Sequence, residues 1–577
     1  MTNKNKHSKM NLTADIRKSV IFMLAFSFML AMKAQPGSKI LAEFKNWQEH
    51  PEYSFFQESV DDSGQKSIHF KTRGEAKSVI GTNYPIFMEK KDSTDLTLRI
   101  RYKVKDCKCL LLTVNTIGLQ ANMVSRDTVL LPLSEMWTDV RDTIKMKNGF
   151  MLEMTIEAEG QTGKPYGNVF VSDYSLSADG HDLRGNVIDA SCRDIQPSSI
   201  LPYKAVMSSS LMDKKILALG ETVEGTQTFF DIGTDIIKER IINHRCNLVL
   251  FELPLSACLY IDRYVKGDAR FDERTISTYL ESFARFDIIP FLRWLKEYNS
   301  QNGNSVTCLG VDGEAYSILG RLSLYNFLES ANINGALDSL CYDVLSYSKP
   351  IRVDAKLAPT ILSEQEVILI QKCIDNMDEH GRSVRMLTAN RDGKMAEMMR
   401  MLYDMYVDDI STATFYGHFL YSSFVVGSYS PFIHNTVNMG CLLKKMYGDD
   451  YSCIALSARQ GDALYLDMRN GMMCRPIQDA PACSLERVVS ETASKDTTFM
   501  HTQSLSDSDI YKMRCASAIC RDEEFHYSVP RMCMDGMVCV NEAVHVKKDM
   551  VPFKMRDKML KARYYEVLKS VINKRKK

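Results

Sequence analysis

From residue 96 to residue 104 apolar and polar side chains alternate without a break: Leu-Thr-Leu-Arg-Ile-Arg-Tyr-Lys-Val. A period of two sends one face of a strand into a core and the other into water. Residues 151–158 nearly repeat the pattern, and residues 168–176 close the series. Alternation interrupted by short polar turns predicts an N-terminal antiparallel β-sandwich, jelly-roll-like, over residues 36–180. The polar stretch after it, with Gly185 and Gln196-Pro-Ser-Ser199, reads as a linker over residues 181–203.

Beyond the linker the period changes. Short apolar runs at residues 216–219, 247–251, 306–311, 410–416 and 451–456 have the length of buried strands. Between the first two, Ile232, Ile236, Ile237, Ile241 and Ile242 share one face of a helix over residues 231–244. A Leu- and Met-rich stretch over residues 317–406 predicts an inserted helical layer, with the methionines of 386–405 in core packing. Strands alternating with helices predict an α/β fold with a mainly parallel sheet over residues 204–577.

Parallel strands present their carboxyl ends on one edge, where open α/β sheets bind ligands. The polar groups at those exits are Glu221 and Glu224, then Glu252, Asp312 and His418. Clustered carboxylates beside an imidazole suit general acid–base chemistry, because crowding and burial raise one carboxyl toward the working range. The same set suits a divalent cation. Each acid could equally do no more than favour a helix N-terminus.

Composition narrows the class. The 577 residues are 45% hydrophobic and 25% charged, an ordinary globular balance with room for several domains. Zero net charge gives no electrostatic reason to expect a nucleic-acid partner. Lys4, Lys6, Lys9, Arg17 and Lys18 precede an apolar run over residues 20–32, then Lys33-Ala34-Gln35-Pro36. That order predicts a signal peptide over residues 1–34 and export, periplasmic or secreted. The run falls short of the roughly 20 residues of a membrane span. No second stretch of that length occurs, so no transmembrane segment is expected beyond the leader. The 16 cysteines lack paired Cys/His spacing and read mostly as small buried hydrophobes. Neither a metal nor a cofactor is expected: no P-loop and no G-x-G-x-x-G occur. The absence of a G-x-S-x-G elbow argues against a serine esterase.

Several segments, in order over residues 205–550, resemble the erythromycin esterase family. They are Leu219-Gly-Glu-Thr-Val-Glu-Gly-Thr226 with Phe229-Phe230, Leu250-Phe-Glu-Leu253, and Phe291-Leu-Arg-Trp-Leu-Lys-Glu-Tyr-Asn299 followed by Leu309-Gly-Val-Asp312. Asn390-Arg-Asp-Gly-Lys-Met-Ala-Glu397, Tyr416-Gly-His418 and Met439-Gly-Cys-Leu-Leu-Lys-Lys-Met-Tyr-Gly-Asp-Asp-Tyr451 complete the set. The resemblance implies a site without a required metal, where a His with supporting Glu residues activates water against a macrolactone ester. Carried over, Glu221, Glu252 and His418 match family positions. The family's base His is Glu224 here, and its second later His falls on Tyr421. An imidazole titrates near 6.5 and a free Glu near 4.3, so Glu224 is the weaker base unless its surroundings raise it. The expectation is an ester hydrolase acting on a small-molecule ester. Glu224 or His418 would be the base, Glu221 and Glu252 would orient it, and Tyr421 would assist the oxyanion. The alternative is a catalytically inactive member serving as a binding protein, with the β-sandwich supplying glycan contact.

Overall fold

The computed structural model describes residues 47–576 except 50–56, 61–63, 73, 76, 83–85, 88–92, 118–122, 148–150, 183–194, 281–285, 314–316, 347–350, 358–360, 383–390, 425–437, 468–470, 494, 507–508, 510, 516–524 and 547–552. The expected leader, most of the expected linker, Met386 and Asn390 therefore lie outside the described residues.

The alternating N-terminal segments form two antiparallel sheets. Ser93–Lys105 pairs with Thr138–Lys147 and Asn168–Ala178 in one sheet, and Cys107–Ile117 pairs with Met123–Leu130 and Met151–Gly160 in the other. Leu96, Leu98, Ile100, Tyr102 and Val104 from the first join Leu110, Leu112, Val114, Met154 and Ile156 from the second in a single apolar cluster. The period-two pattern thus marks the face each strand buries.

The larger C-terminal unit is α/β. Among the described residues its sheet contains nine strands: β1 (Ile200–Pro202), β2 (Ile216–Glu221), β3 (Cys246–Pro254), β4 (Thr307–Asp312), β5 (Thr412–His418), β6 (Tyr451–Asp467), β7 (Gly471–Ile477), β8 (Thr497–His501) and β9 (Gly536–Ala543). The order is β1-β8-β9-β6-β2-β5-β3-β4, with β7 paired to β6. Neighbours from β9 to β4 run parallel, whereas β1, β8 and β7 pair antiparallel.

Each central strand extends past the apolar run that marks it in the sequence. β2 continues through Gly220 to Glu221, β4 to Asp312 and β5 to His418. Backbone pairing continues wherever a neighbouring strand offers partners, so polar end residues join the ladder. The first helix begins at Gln227 rather than 231, capped by the Thr226 hydroxyl accepting from Phe229 N at 3.3 Å. Phe229 and Phe230 are buried, and Phe230 stacks on Phe286 at 4.1 Å while meeting Tyr416 edge-on at 5.4 Å. The 317–406 stretch holds the helices Ser317–Ala331, Asp338–Ser346, Glu364–Arg382 and Arg391–Tyr406, with Met395, Met398 and Met399 in the core. Most described free cysteines are buried, and Cys483 is disulfide-bonded. Among the described residues no helix is long and apolar enough to cross a membrane.

Candidate active site

Parallel pairing sets Glu221 opposite His418, Phe251 opposite Tyr416 and Pro254 opposite Asp312. Register alone therefore brings Glu221, Glu252, Asp312 and His418 to one edge. The β3–β5 ladder ends at Phe251, and the β3–β4 ladder is irregular between Phe251 and its last pair, Pro254 and Asp312. Glu252, just past that point, reaches β5, and its Oε2 accepts from His418 N at 2.7 Å. Gly417 makes the approach possible. A Cβ there would lie 2.8 Å from Glu252 Cβ and 3.0 Å from its Oε2.

Arg391, the first residue of its helix, fills the space between these strand ends. Its Nε and Nη2 donate to the two Asp312 oxygens at 2.9 and 2.7 Å, a fork-to-fork pair. Nη2 also donates to Glu252 Oε1 at 2.9 Å, and Nη1 donates to the Tyr421 hydroxyl. The guanidinium carbon stands 4.5 Å from the Tyr421 ring centroid. Asp392 Oδ1 accepts from Met439 N at 2.9 Å, tying the start of this helix to the start of Met439–Tyr447.

The electrostatics follow from this packing. Burial pushes the Glu252 carboxyl above the usual carboxylate range; Arg391 opposes the rise and Asp312 adds to it. Burial works against the charge on Arg391, but Asp312, Tyr421 and Glu252 outweigh it and hold the guanidinium protonated. Burial likewise pushes the Tyr421 phenol far up, so it remains an O–H group at neutral pH. Burial, then the Glu221 carboxylate, raises Tyr416 well above its ordinary value.

His418 caps the short helix Phe419–Ser422, and its Nδ1 accepts from Leu420 N at 3.2 Å. A neutral imidazole that accepts at Nδ1 carries its proton on Nε2. The chain beyond is fixed by Ser422 Oγ donating to His418 O at 3.1 Å and Tyr451 O–H donating to Ser422 O at 2.7 Å. The His418 and Tyr421 rings lie 6.1 Å apart.

Of the residues singled out in the sequence, Glu252, His418 and Tyr421 meet around Arg391, and Glu221, buried, ends the strand beside His418. Glu224 is half-buried in the turn after β2. That turn docks on β6, where Leu464 N donates to Gly225 O at 3.0 Å. The sequence marks Asp312 as a strand exit and within the Leu309-Gly-Val-Asp312 segment, and Arg391 only within the segment of residues 390–397.

The erythromycin esterase family model matches residues 358–542, the stretch that supplies Arg391, His418 and Tyr421. This stretch belongs to the erythromycin esterase family. No curated protein matches the chain. Among solved structures, a Bacillus cereus protein is 13% identical with a TM-score of 0.45, over 60% of this chain and 96% of that one. A mutant of the erythromycin esterase EreC in its open conformation is 15% identical with a TM-score of 0.41, over 59% of this chain and 93% of that one. A family 16 carbohydrate-binding module is 14% identical with a TM-score of 0.18, over 23% of this chain and 89% of that one.

Proposed function

We propose that the C-terminal unit hydrolyses an ester of a small molecule, with a macrolactone as the substrate class to test first. The observation that supports this reading is the donor arrangement around Arg391, within a stretch of erythromycin esterase family membership. A guanidinium can only donate, so the Tyr421 oxygen accepts from Arg391 and the phenolic proton is left for another acceptor. Donation from a cation also polarises that O–H. With His418 protonated on Nε2, two hydrogen-bond donors belong to neighbouring rings. Two such donors suit a developing oxyanion.

In this reading His418 is a donor rather than the base, because its Nδ1 lone pair is engaged by Leu420 N. Glu224 takes the proton of the attacking water. Glu252, held by Arg391 and by His418 N, positions His418, and Glu221 supports the adjoining strand end. The leader-like residues 1–34 support export as part of the same proposal. The two antiparallel sheets around one apolar cluster support an accessory β-sandwich, with glycan contact as its proposed role.

A specific observation favours a second reading, a catalytically retired binding protein. Arg391 occupies both Glu252 and Asp312, and a carboxylate stands where the family carries a base His. Turnover of erythromycin and simple aryl esters by the purified full chain decides between them. The hydrolase reading expects turnover, and it expects kcat to fall roughly 100-fold in Y421F and in E224Q. Ligand binding without turnover supports the retired reading. Turnover left unchanged by both substitutions overturns the residue assignment.

A further inference from the structure

A second cluster of reactive side chains lies on the same sheet, and the proposed ester chemistry does not use it. Asp462 is on β6, Cys474 on β7, and His545 lies two residues past the end of β9. One donor atom from each falls within 4.8 Å of the other two. These residues are separated by 12 and 71 positions in the chain, so no local spacing announces them.

The sheet explains the convergence. On β6, Gly461 pairs with both Ile477 of β7 and Ala543 of β9. Its φ is +139°, and a Cβ there would lie 2.0 Å from Ala543 O, so only glycine permits this backbone course. Asp462 follows directly, and its Oδ1 accepts from His545 N at 2.7 Å. Cys474 faces Leu464, which makes it the diagonal neighbour of Asp462 across the β6–β7 ladder.

The chemistry of the contacts points to an ion. Both Asp462 Oδ1 and Cys474 Sγ approach the same ring atom, His545 Nδ1, the sulfur at 3.4 Å. A nucleophilic triad needs the thiol and the carboxylate on opposite ring nitrogens. Here they compete for one nitrogen, which has a single proton or a single lone pair to offer. Around a tetrahedral zinc ion, thiolate, imidazole and carboxylate donors are separated by roughly 3.3–3.7 Å, as follows from the metal–ligand lengths. The Cys474–His545 distance falls in that range, whereas Asp462 Oδ1 stands closer to Nδ1 than two ligands of one ion do, so the carboxylate draws back when the ion enters. Among the described free cysteines, only Cys474 is exposed.

We propose that Asp462, Cys474 and His545 form a zinc-type metal site. Sulfur, nitrogen and oxygen donors together select a borderline transition ion over calcium or magnesium. Three protein ligands leave a fourth position for water or an exogenous ligand. The site adjoins the turn that carries Glu224, because Gly225 packs on Leu464, the residue that faces Cys474.

The test uses the purified full chain, stripped with a chelator under reducing conditions and titrated with cobalt(II) alone. The proposal expects one equivalent to bind with a thiolate-to-cobalt charge-transfer band, displaced by zinc. Cys474→Ser should abolish the band, and His545→Ala and Asp462→Asn should each weaken binding by about 100-fold or more. Cys474 is exposed, so its replacement leaves the fold intact by circular dichroism, and Cys441→Ser serves as the control that keeps the band. No thiolate band in the parent chain, or a band retained in Cys474→Ser, overturns the proposal.

Discussion

Arg391 donates to side chains on three other elements: Asp312 at the end of β4, Glu252 on β3 and Tyr421 after β5. Removing it leaves two carboxylates facing each other in a partly buried space, with side-chain exposures of 16% for Glu252 and 15% for Asp312. Truncating one partner of a buried charge group costs about 3–5 kcal/mol. Arg391 is itself 30% exposed, which places R391A at the lower end, about 3 kcal/mol. Urea denaturation should show that loss. Combining R391A with E252Q and D312N should recover part of it, because the repulsion leaves with the charges. R391K should restore charge without the fork that reaches both Asp312 oxygens. A fully stable R391A would show that the ion cluster does not hold the strand ends together.

At the level of elements, the site depends on how closely neighbouring strands and helices approach. Gly417 in β5 admits the Glu252 side chain, and a Cβ there would also lie 2.6 Å from Phe415 Cζ. Overpacking of this kind costs about 1–3 kcal/mol. G417A should therefore lower the thermal midpoint and, by moving Glu252 off His418 N, reduce turnover by more than the stability loss explains. An unchanged midpoint and unchanged turnover would mean that the approach is slack. The strands themselves are legible in the sequence, because buried runs such as 216–219 and 247–251 stand out between helical segments. Their polar ends are not marked by hydrophobicity, since Glu221, Asp312 and His418 join the ladder through the backbone alone. Arg391 is harder still to read. Its role arises when the start of one helix meets the ends of three strands, 79 residues from Asp312 and 139 from Glu252. Periodicity carries no information on such an approach. Asp462, Cys474 and His545 are hidden for the same reason, with Gly461 as the sole local hint of a bend.

At the scale of the whole molecule, two apolar clusters without a common member stand out among the described residues: one drawn from both N-terminal antiparallel sheets, the other around the α/β sheet. The proposed chemistry gathers on the second. Its parallel strands all deliver their carboxyl ends to one edge, so residues from 221 to 421 meet there without any local motif that contains them all. The most direct check is a crystal structure of the full chain with a phosphonate analogue of ester hydrolysis bound. One phosphonyl oxygen should lie within hydrogen-bond reach of both the Tyr421 hydroxyl and His418 Nε2, with Glu224 on the side of the attacking oxygen. An analogue bound elsewhere, with Tyr421 and His418 turned away from it, would contradict the assignment of this edge as the reaction centre.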